Sequence, residues 1–432
     1  VVLGAATELM GAAGDAPTRT FHAGATTHVV AGWGVADRVG DWSAGYGRRA
    51  LVVAGERHAR ATGLLGRVEG SLRAAGLDVE VLEGIGPNPG VAAVDAGALL
   101  ARATRTEVVV AVGGGSTVDA AKAIATAAAS RERRSFGYHL SGRRAADLLV
   151  ETVLPVVALP TLLGSGSETN GTSVITDEET GRKLSAHSDL AAPRVALLDP
   201  ALLVEGDPAL VAPGLADSAC HALEAGLSAR ATIASDSLAE QALRMLLREG
   251  KRPLDVRLDP VERADSLLIA WWASNLAGQA LTLAGSIVTH PLAHPVSAHL
   301  DARHGEAVAA IEPAVLAVLA PHLLGSPHLQ RVASWLDVRG AGDPEVALRG
   351  VLAKLARYQR TVGVRRSLAD LGVGEQAISV IVRDARASGS RGLANSPGGE
   401  PDPDTLLRIL DLAVQVGPTT DARRLLELAG MA

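Results

Sequence analysis

The chain has 432 residues, 47% hydrophobic and 20% charged, which suits a sizeable core and two or three domains and argues against disorder. A formal net charge of -6, with no stripe of clustered Lys and Arg, argues against a nucleic-acid partner. Cys220 is the one cysteine, so the chain forms no internal disulfide and fits a reducing compartment.

Residues 1–18 read as a loose tail without the basic-then-apolar pattern of a signal peptide. No apolar run reaches the roughly 18–20 residues needed to span a bilayer, so a cytoplasmic protein with no membrane partner is expected. Phe21 to Gly34, short apolar stretches broken by Gly, suggest a strand pair. Ala50–Ala54 reads as a buried parallel strand, followed by a helix from about His58 to Ala75 and a strand at Val79–Leu82. The turn GPNPG (Gly86–Gly90) leads into a helix through Leu100, and Glu107–Val112 is the strongest strand of the chain. Val156–Leu159 and Val195–Leu198 are further strands. Strands alternating with helices predict a doubly wound parallel sheet. After Pro200 the pattern changes to Ala/Leu-rich helices, interrupted by loops at Gly340–Pro344 and Asn395–Asp404. The expected organisation is an α/β dinucleotide-binding domain over 1–205 and an all-helical metal-binding domain over 206–432.

Gly113, Gly114, Gly115 and Ser116 directly follow the strongest strand and precede a helical segment. Glycines there let backbone N–H groups approach a phosphate at a helix N-terminus. The same glycines would also serve a tight turn; their place at the carboxyl end of a parallel strand favours the ligand. The pattern is not G-x-G-x-x-G. A second loop, Pro160 to Glu168, is small and hydroxyl-bearing, suited to a dinucleotide or equally to a capped helix start.

Asp217 and His221 stand at i, i+4 in a helical stretch and can converge on one ion, though such a pair is more often a surface contact. His290 and His294 repeat the spacing. Together with His299 and His304 they crowd four imidazoles into fifteen residues of an apolar region, where unpaired imidazoles would be costly. Three nitrogen ligands and one oxygen suit Fe²⁺ or Zn²⁺ better than Mg²⁺ or Ca²⁺. Cys220 reads as buried packing, and Trp271-Trp272 as core or interface before substrate wall. Pro291 and Pro295 predict a helix start or kink.

These residues resemble the iron-containing (group III) alcohol dehydrogenases of the dehydroquinate-synthase-like superfamily. The resemblance runs from about Phe21 to the last helices, through GPNPG, GGGSTVDAAKAIA, PTLLGSGSE, the Thr176–Lys183 stretch, ADSACHALEA and HPLAHPVSAHLDARHG. It implies that Asp217, His221, His290 and His304 hold one divalent ion, Fe²⁺ before Zn²⁺, with His294 beside it to relay protons. It implies that Gly113–Ser116 and Asp119 contact NAD or NADP, with Thr161, Ser165 and Lys183 lining the same cleft. The implied reaction interconverts an alcohol and an aldehyde or ketone, by hydride transfer to or from nicotinamide with the metal as Lewis acid. A homodimer is expected.

Several positions depart from the family pattern. Gly55, followed by Glu56 and Arg57, stands where NAD-preferring members carry an Asp for the ribose, which admits NADP. Thr117 replaces a Pro and Leu162 a polar residue. Arg303 and Glu306 flank His304-Gly305, and His299 replaces an aromatic; Arg303 and His299 are candidate substrate contacts. Gln279, Gly285, Ser286 and Ile287 stand where members acting on phosphonate aldehydes carry Lys and Thr, so a phosphonate is not expected. Arg303 would suit a carboxylate-bearing or larger alcohol, such as a peptide ending in Thr, which some superfamily members tailor in natural-product synthesis. A dehydroquinate-synthase-like lyase or cyclase is the alternative of another class, and a degenerate binding subunit a third; Asp217 and the extra His221 favour the dehydrogenase.

Overall fold

The computed structural model describes residues 27–131, 135–140, 151–204, 206–300 and 302–431. The expected tail 1–18, residues 21–26 of the expected strand pair and the boundary residue 205 lie outside these. The strands are β1 (His28–Ala31), β2 (Arg49–Gly55), β3 (Asp78–Ile85), β4 (Val108–Gly113), β5 (Val156–Pro160), β6 (Thr172–Asp177), β7 (Arg182–His187) and β8 (Val195–Leu198). Six of them form one sheet in the order β1-β8-β5-β4-β2-β3, every neighbouring pair parallel. The described part of the expected strand pair is the single strand β1, whose partner β8 lies far along the chain. Short apolar runs carry no pairing information, so the partnership of β1 with β8 was not legible in the sequence.

The longer described helices are α1 (Leu64–Ala74), α2 (Val91–Ala103), α3 (Gly115–Ala129), α4 (Pro208–Leu227), α5 (Ile233–Glu249), α6 (Pro260–Ala284), α7 (Thr289–Leu300), α8 (His304–Val318), α9 (Pro344–Val362), α10 (Glu375–Ala387) and α11 (Pro403–Gln415). The helix expected from His58 is interrupted: one turn ends at Ala61, and Gly63, at φ 72°, restarts the chain into α1. Both expected loops end where a capped helix begins. Asp343 accepts from the amides of Glu345 and Val346 ahead of α9, and Asp402 from that of Thr405 ahead of α11.

Period-two burial sorts the sheet's side chains into two cores. Leu51, Val53, Val109 and Ala111 pack on one face with α2 and α3. Ala50, Val52, Val108, Val110 and Val112 pack on the other with α1. Burial on both faces explains why these strands read as unbroken apolar runs. The helices from α4 onward share a third core, which Leu163 and Leu198 join from the strand side. Trp271 is fully buried, whereas Trp272 is 38% exposed. Contrary to the expectation that no segment is long and apolar enough to span a bilayer, α6 meets that test by length and composition. However, 61% of its apolar window is buried in this fold, the signature of a core helix.

β6 and β7 form an antiparallel hairpin that the sequence reading missed. Its signal was there: Thr172–Asp177 alternates half-buried and buried residues, and Gly181 at φ 68° closes the turn. The hairpin matters because β7 packs on α7 and carries Lys183 towards the histidine-rich helix.

Candidate metal centre and dinucleotide cleft

Helix α4 starts on Asp207, whose carboxylate accepts from Ala209 N–H at 2.8 Å, with Pro208 at the first position. Two turns further on, Asp217 and His221 share a buried face. Helix α7 begins at Thr289, so Pro291 falls in the first turn, where its missing N–H has no helical partner to lose. His290 and His294 project from it one turn apart. Helix α8 begins at His304 itself. Its Gly305 lies against Pro213 of α4, where a Cβ would stand 2.7 Å from the Pro213 carbonyl carbon, so any larger residue would push His304 away.

Asp217, His290 and His304 thereby bring one ligand atom each to within 4.8 Å of one another. His221 adjoins them, its Nε2 3.6 Å from Asp217 Oδ1 and its ring stacked on His290 at 4.7 Å between centroids. His294 lies 5.3 Å, ring to ring, from His304. Asp217 Oδ1 and His290 Nε2 are buried with no hydrogen-bond partner and stand 3.7 Å apart. Buried lone pairs without donors are expensive. A cation among them would satisfy both, so the donor set fits a divalent ion.

The electrostatics point the same way. Burial works against the Asp217 carboxylate, but the His221, His290 and His304 imidazoles outweigh it and hold its pKa below the usual range. Burial lowers His221 to about 4 against the pull of Asp217, and lowers His304 to about 3, where His290 and Lys183 add to it. His290 goes the other way: burial is overcome by Glu224 and Asp217, which raise it to about 10. His221 and His304 are thus already in the neutral form a divalent cation requires of its ligands, and a cation at His290 Nε2 would displace a proton from that ring.

Two further carboxylates, missed in the sequence, lie behind the ligands. Glu224, fully buried one helical turn after His221, accepts from His290 Nδ1 and, at 2.8 Å, from Ile287 N–H. Glu312 on α8 accepts the Thr289 hydroxyl, and burial together with Glu224 raises it to about 8. The signal in ADSACHALEA was an acid on the same helix face as Asp217, seven residues on.

On the sheet side, Gly114 caps α3 and its carbonyl accepts the amides of Thr117 and Val118, which leaves the Gly115 and Ser116 N–H groups without intrahelical partners. A Cβ on Gly113 would stand 2.7 Å from Thr117 Cβ, and one on Gly115 2.6 Å from Ser165 Oγ. The two glycine-rich loops therefore pack directly on each other, joined also by Thr161 N–H to Gly113 O at 2.9 Å. Thr161 is buried and Ser165 exposed at this edge. Gly166 meets Gly278 of α6 backbone to backbone, a Cβ on it falling 2.6 Å from Gly278 Cα, which ties the loop to the helical half.

Asp119 is engaged within the protein. It accepts from Ser167 Oγ and, at 3.0 Å, from Val174 N–H, and pairs with the fully buried Lys122 at 3.0 Å. It anchors the second loop and the hairpin to α3. Lys183 stands near enough to His294 and His304 to depress both. Gly55 ends β2 beside Thr117, and the Glu56 carboxylate is turned towards Gly86.

Arg303 and His299, expected at the substrate mouth, are held elsewhere. Pro213 has no N–H for the carbonyl of Ala209 four residues earlier. Arg303 Nη1 donates to that carbonyl at 2.7 Å instead. His299 Nε2 is 2.9 Å from Asp384 of α10, which also pairs with Arg182 of β7 at 3.3 Å. Glu306 pairs with Arg366 at 3.2 Å, and Gln279 donates to Asn275 at 2.7 Å.

The sequence profile of the family described as "Iron-containing alcohol dehydrogenase" matches residues 26–200, and that described as "Fe-containing alcohol dehydrogenase family, C-terminal" matches residues 211–411. Long-chain-alcohol dehydrogenase 1 of Geobacillus thermodenitrificans is 30% identical over 85% of this chain and 90% of its own length. The NAD-dependent methanol dehydrogenase of Bacillus methanolicus is 29% identical over 82% of this chain and 91% of its own. Among solved structures, NADH-dependent butanol dehydrogenase A from Thermotoga maritima superposes with a TM-score of 0.81 at 25% identity, covering 92% of this chain and 99% of that one. An archaeal halo-thermophilic alcohol dehydrogenase from a Red Sea brine pool gives 0.83 at 26% identity, covering 92% and 100%. With the α/β half and the helical half each matched in order by the two halves of one family pattern, the chain belongs to the iron-containing alcohol dehydrogenase family and is an alcohol dehydrogenase.

Proposed function

We propose that the protein interconverts alcohols and aldehydes or ketones with NAD(H) or NADP(H), using one divalent ion, Fe²⁺ before Zn²⁺, held by Asp217, His290 and His304 with His221 completing the set. The observation that carries this reading is the buried convergence of those groups with two unpartnered ligand atoms, Asp217 Oδ1 and His290 Nε2. When bound, the ion supplies Lewis acidity and the nicotinamide gives or accepts the hydride. The chain's own part is placement and proton handling. The Gly115 and Ser116 amides at the start of α3 receive the pyrophosphate. Ser165 and Thr161 border it, and Lys183 brings positive charge between hairpin and histidines. His294, half-buried beside His290 and His304, exchanges the hydroxyl proton. Arg303 and His299 are left out, because their polar atoms already serve Ala209 and Asp384.

The relatives are named for methanol, butanol and long-chain alcohols, so the alcohol's size is left to experiment. Protein purified without chelator should contain Fe or Zn near one per chain. It should reduce NAD⁺ or NADP⁺ with an alcohol from a panel running from methanol to long-chain alcohols and a peptide ending in Thr. Metal-loaded protein that leaves the dinucleotide unreduced with every alcohol, and unoxidised with every aldehyde, would overturn the reading; product formed without net change in the dinucleotide would favour the lyase alternative. NADP(H) should bind at least as well as NAD(H), since Gly55 offers no acid to the ribose. A preference for NAD(H) of about 100-fold, roughly 2.7 kcal/mol, would instead mean that another acidic residue holds the ribose.

A further inference from the structure

Nothing in the ligand set itself explains why His290 should present Nε2, not Nδ1, to a cation. An imidazole on a helix can turn about its Cβ–Cγ bond, and a free ring exchanges its proton between both nitrogens. Here the ring is fixed from behind. Glu224 Oε1 meets His290 Nδ1, while Oε2 accepts the Ile287 amide at 2.8 Å. Glu224 is fully buried on α4, the helix that carries Asp217 and His221. Ile287 lies in the connection between α6 and α7, three residues before His290. One carboxylate therefore joins the helix bearing two candidate ligands to the segment that delivers the third. With both oxygens accepting, it fixes where α7 starts and which way its first histidine faces.

We propose that Glu224 is a positioning residue for the metal: by accepting the Nδ1 proton of His290 it holds the tautomer and ring plane that direct Nε2 at the ion, and so sets metal affinity. This rests on the metal reading above. Outer partners of this type raise the basicity of a ligating imidazole, and their loss typically weakens metal binding by about 10–100-fold. Glu312 supplies an internal contrast. It is an equally buried carboxyl, but it holds the Thr289 hydroxyl and no ring nitrogen.

The test is metal affinity, measured by chelator competition with Co²⁺ and Zn²⁺ on the full chain, alongside thermal unfolding of the same samples. Glu224→Gln keeps the shape but lacks the charge. It should remain folded, bind metal about 10–100-fold more weakly, and shift the visible spectrum of the Co²⁺ protein. Glu312→Gln should bind metal within about twofold of wild type, because it leaves His290 untouched. Equal losses in the two variants, or wild-type affinity and spectrum in a folded Glu224→Gln, would overturn the proposal. Should Glu224→Gln fail to fold, nitrogen NMR of histidine-labelled wild-type Zn²⁺ protein decides. A protonated, strongly hydrogen-bonded Nδ1 on His290 supports the proposal, and a protonated Nε2 overturns it. Wild-type protein that binds neither metal would refute the metal reading itself, a result distinct from all of these.

Discussion

The two halves of the site use opposite chemistry. At the edge of the sheet, the candidate dinucleotide cleft rests on what residues lack: Gly113 and Gly115 have no Cβ, so two loops can close on each other and leave amide donors at a helix start. In the helical half the candidate metal centre rests on what residues carry: a carboxylate and two imidazoles from three helices, with ligand atoms within 4.8 Å of one another, and a third imidazole, His221, alongside. The first half should therefore tolerate changes in side chain nearby but not at these glycines, and the second should tolerate shifts in backbone only while the ligand atoms still converge. A side-chain site announces its chemistry in residue type, whereas a backbone site announces only a shape.

The sharpest test of that contrast lies in the ligands. Asp217→Ala or His290→Ala should lower kcat/KM for alcohol oxidation by about 10³-fold or more and leave the metal content well below one per chain, while dinucleotide affinity changes little. Elemental analysis and dinucleotide titration on the same preparation check this; a parallel loss of dinucleotide binding would show that the two halves are not separable.

On the backbone side, Gly115→Ala drives a methyl into Ser165 Oγ. It should weaken dinucleotide binding by about 10-fold or more, an overpacking effect of roughly 1–3 kcal/mol, with metal content unchanged. Adding Ser165→Gly should recover part of the loss, since it removes the clashing atoms. Calorimetric titration distinguishes that recovery from a loop that is damaged outright.

A third prediction concerns acid balance behind the ligands. Glu312 titrates near 8 in the fold and near 4.5 unfolded, with burial the first cause and Glu224 the second. Between those values the unfolded chain gives up its proton while the folded one keeps it. Stability contributed by the neutral carboxyl is therefore complete below about pH 4.5 and declines as pH rises towards 8. Glu312→Gln is permanently neutral, so chelator-treated variant should lose less stability than wild type between pH 5 and 8, by up to roughly 3 kcal/mol. Identical pH profiles in denaturant unfolding would show that Glu312 is ionised in the fold.

The smallest effect is expected at Arg303. Its guanidinium serves the carbonyl that Pro213 leaves without a donor, so Arg303→Ala should reduce stability by about 1 kcal/mol. It should change kcat/KM for neutral and carboxylate-bearing alcohols alike by less than about twofold. Selective loss with the carboxylate substrate would return Arg303 to the substrate mouth.

Local pattern carried much of this molecule. The β-branched runs at β2, β4, β5 and β8 are buried on both faces, and such runs can hardly be anything but inner strands. The four histidines within residues 290–304 and the Asp217/His221 pair were conspicuous because charged and ring-bearing polar groups are rare in apolar helices. The hairpin β6–β7 was overlooked because its outer face is polar and its alternation is short.

What the sequence determined, then, is composition by element: which segments are strand or helix, which loop is glycine, which side chains could bind an ion. What only the tertiary structure decided is who meets whom. The pairing of β1 with β8, the contact of Gly166 with Gly278, the use of Arg303 on Ala209 and the buried hold of Glu224 on His290 all join residues from distant segments. Periodicity records which way a residue faces along its own helix or strand and says nothing about the partner opposite. That partner is set by packing, which brings Glu224, near the end of α4, behind His290 in the first turn of α7.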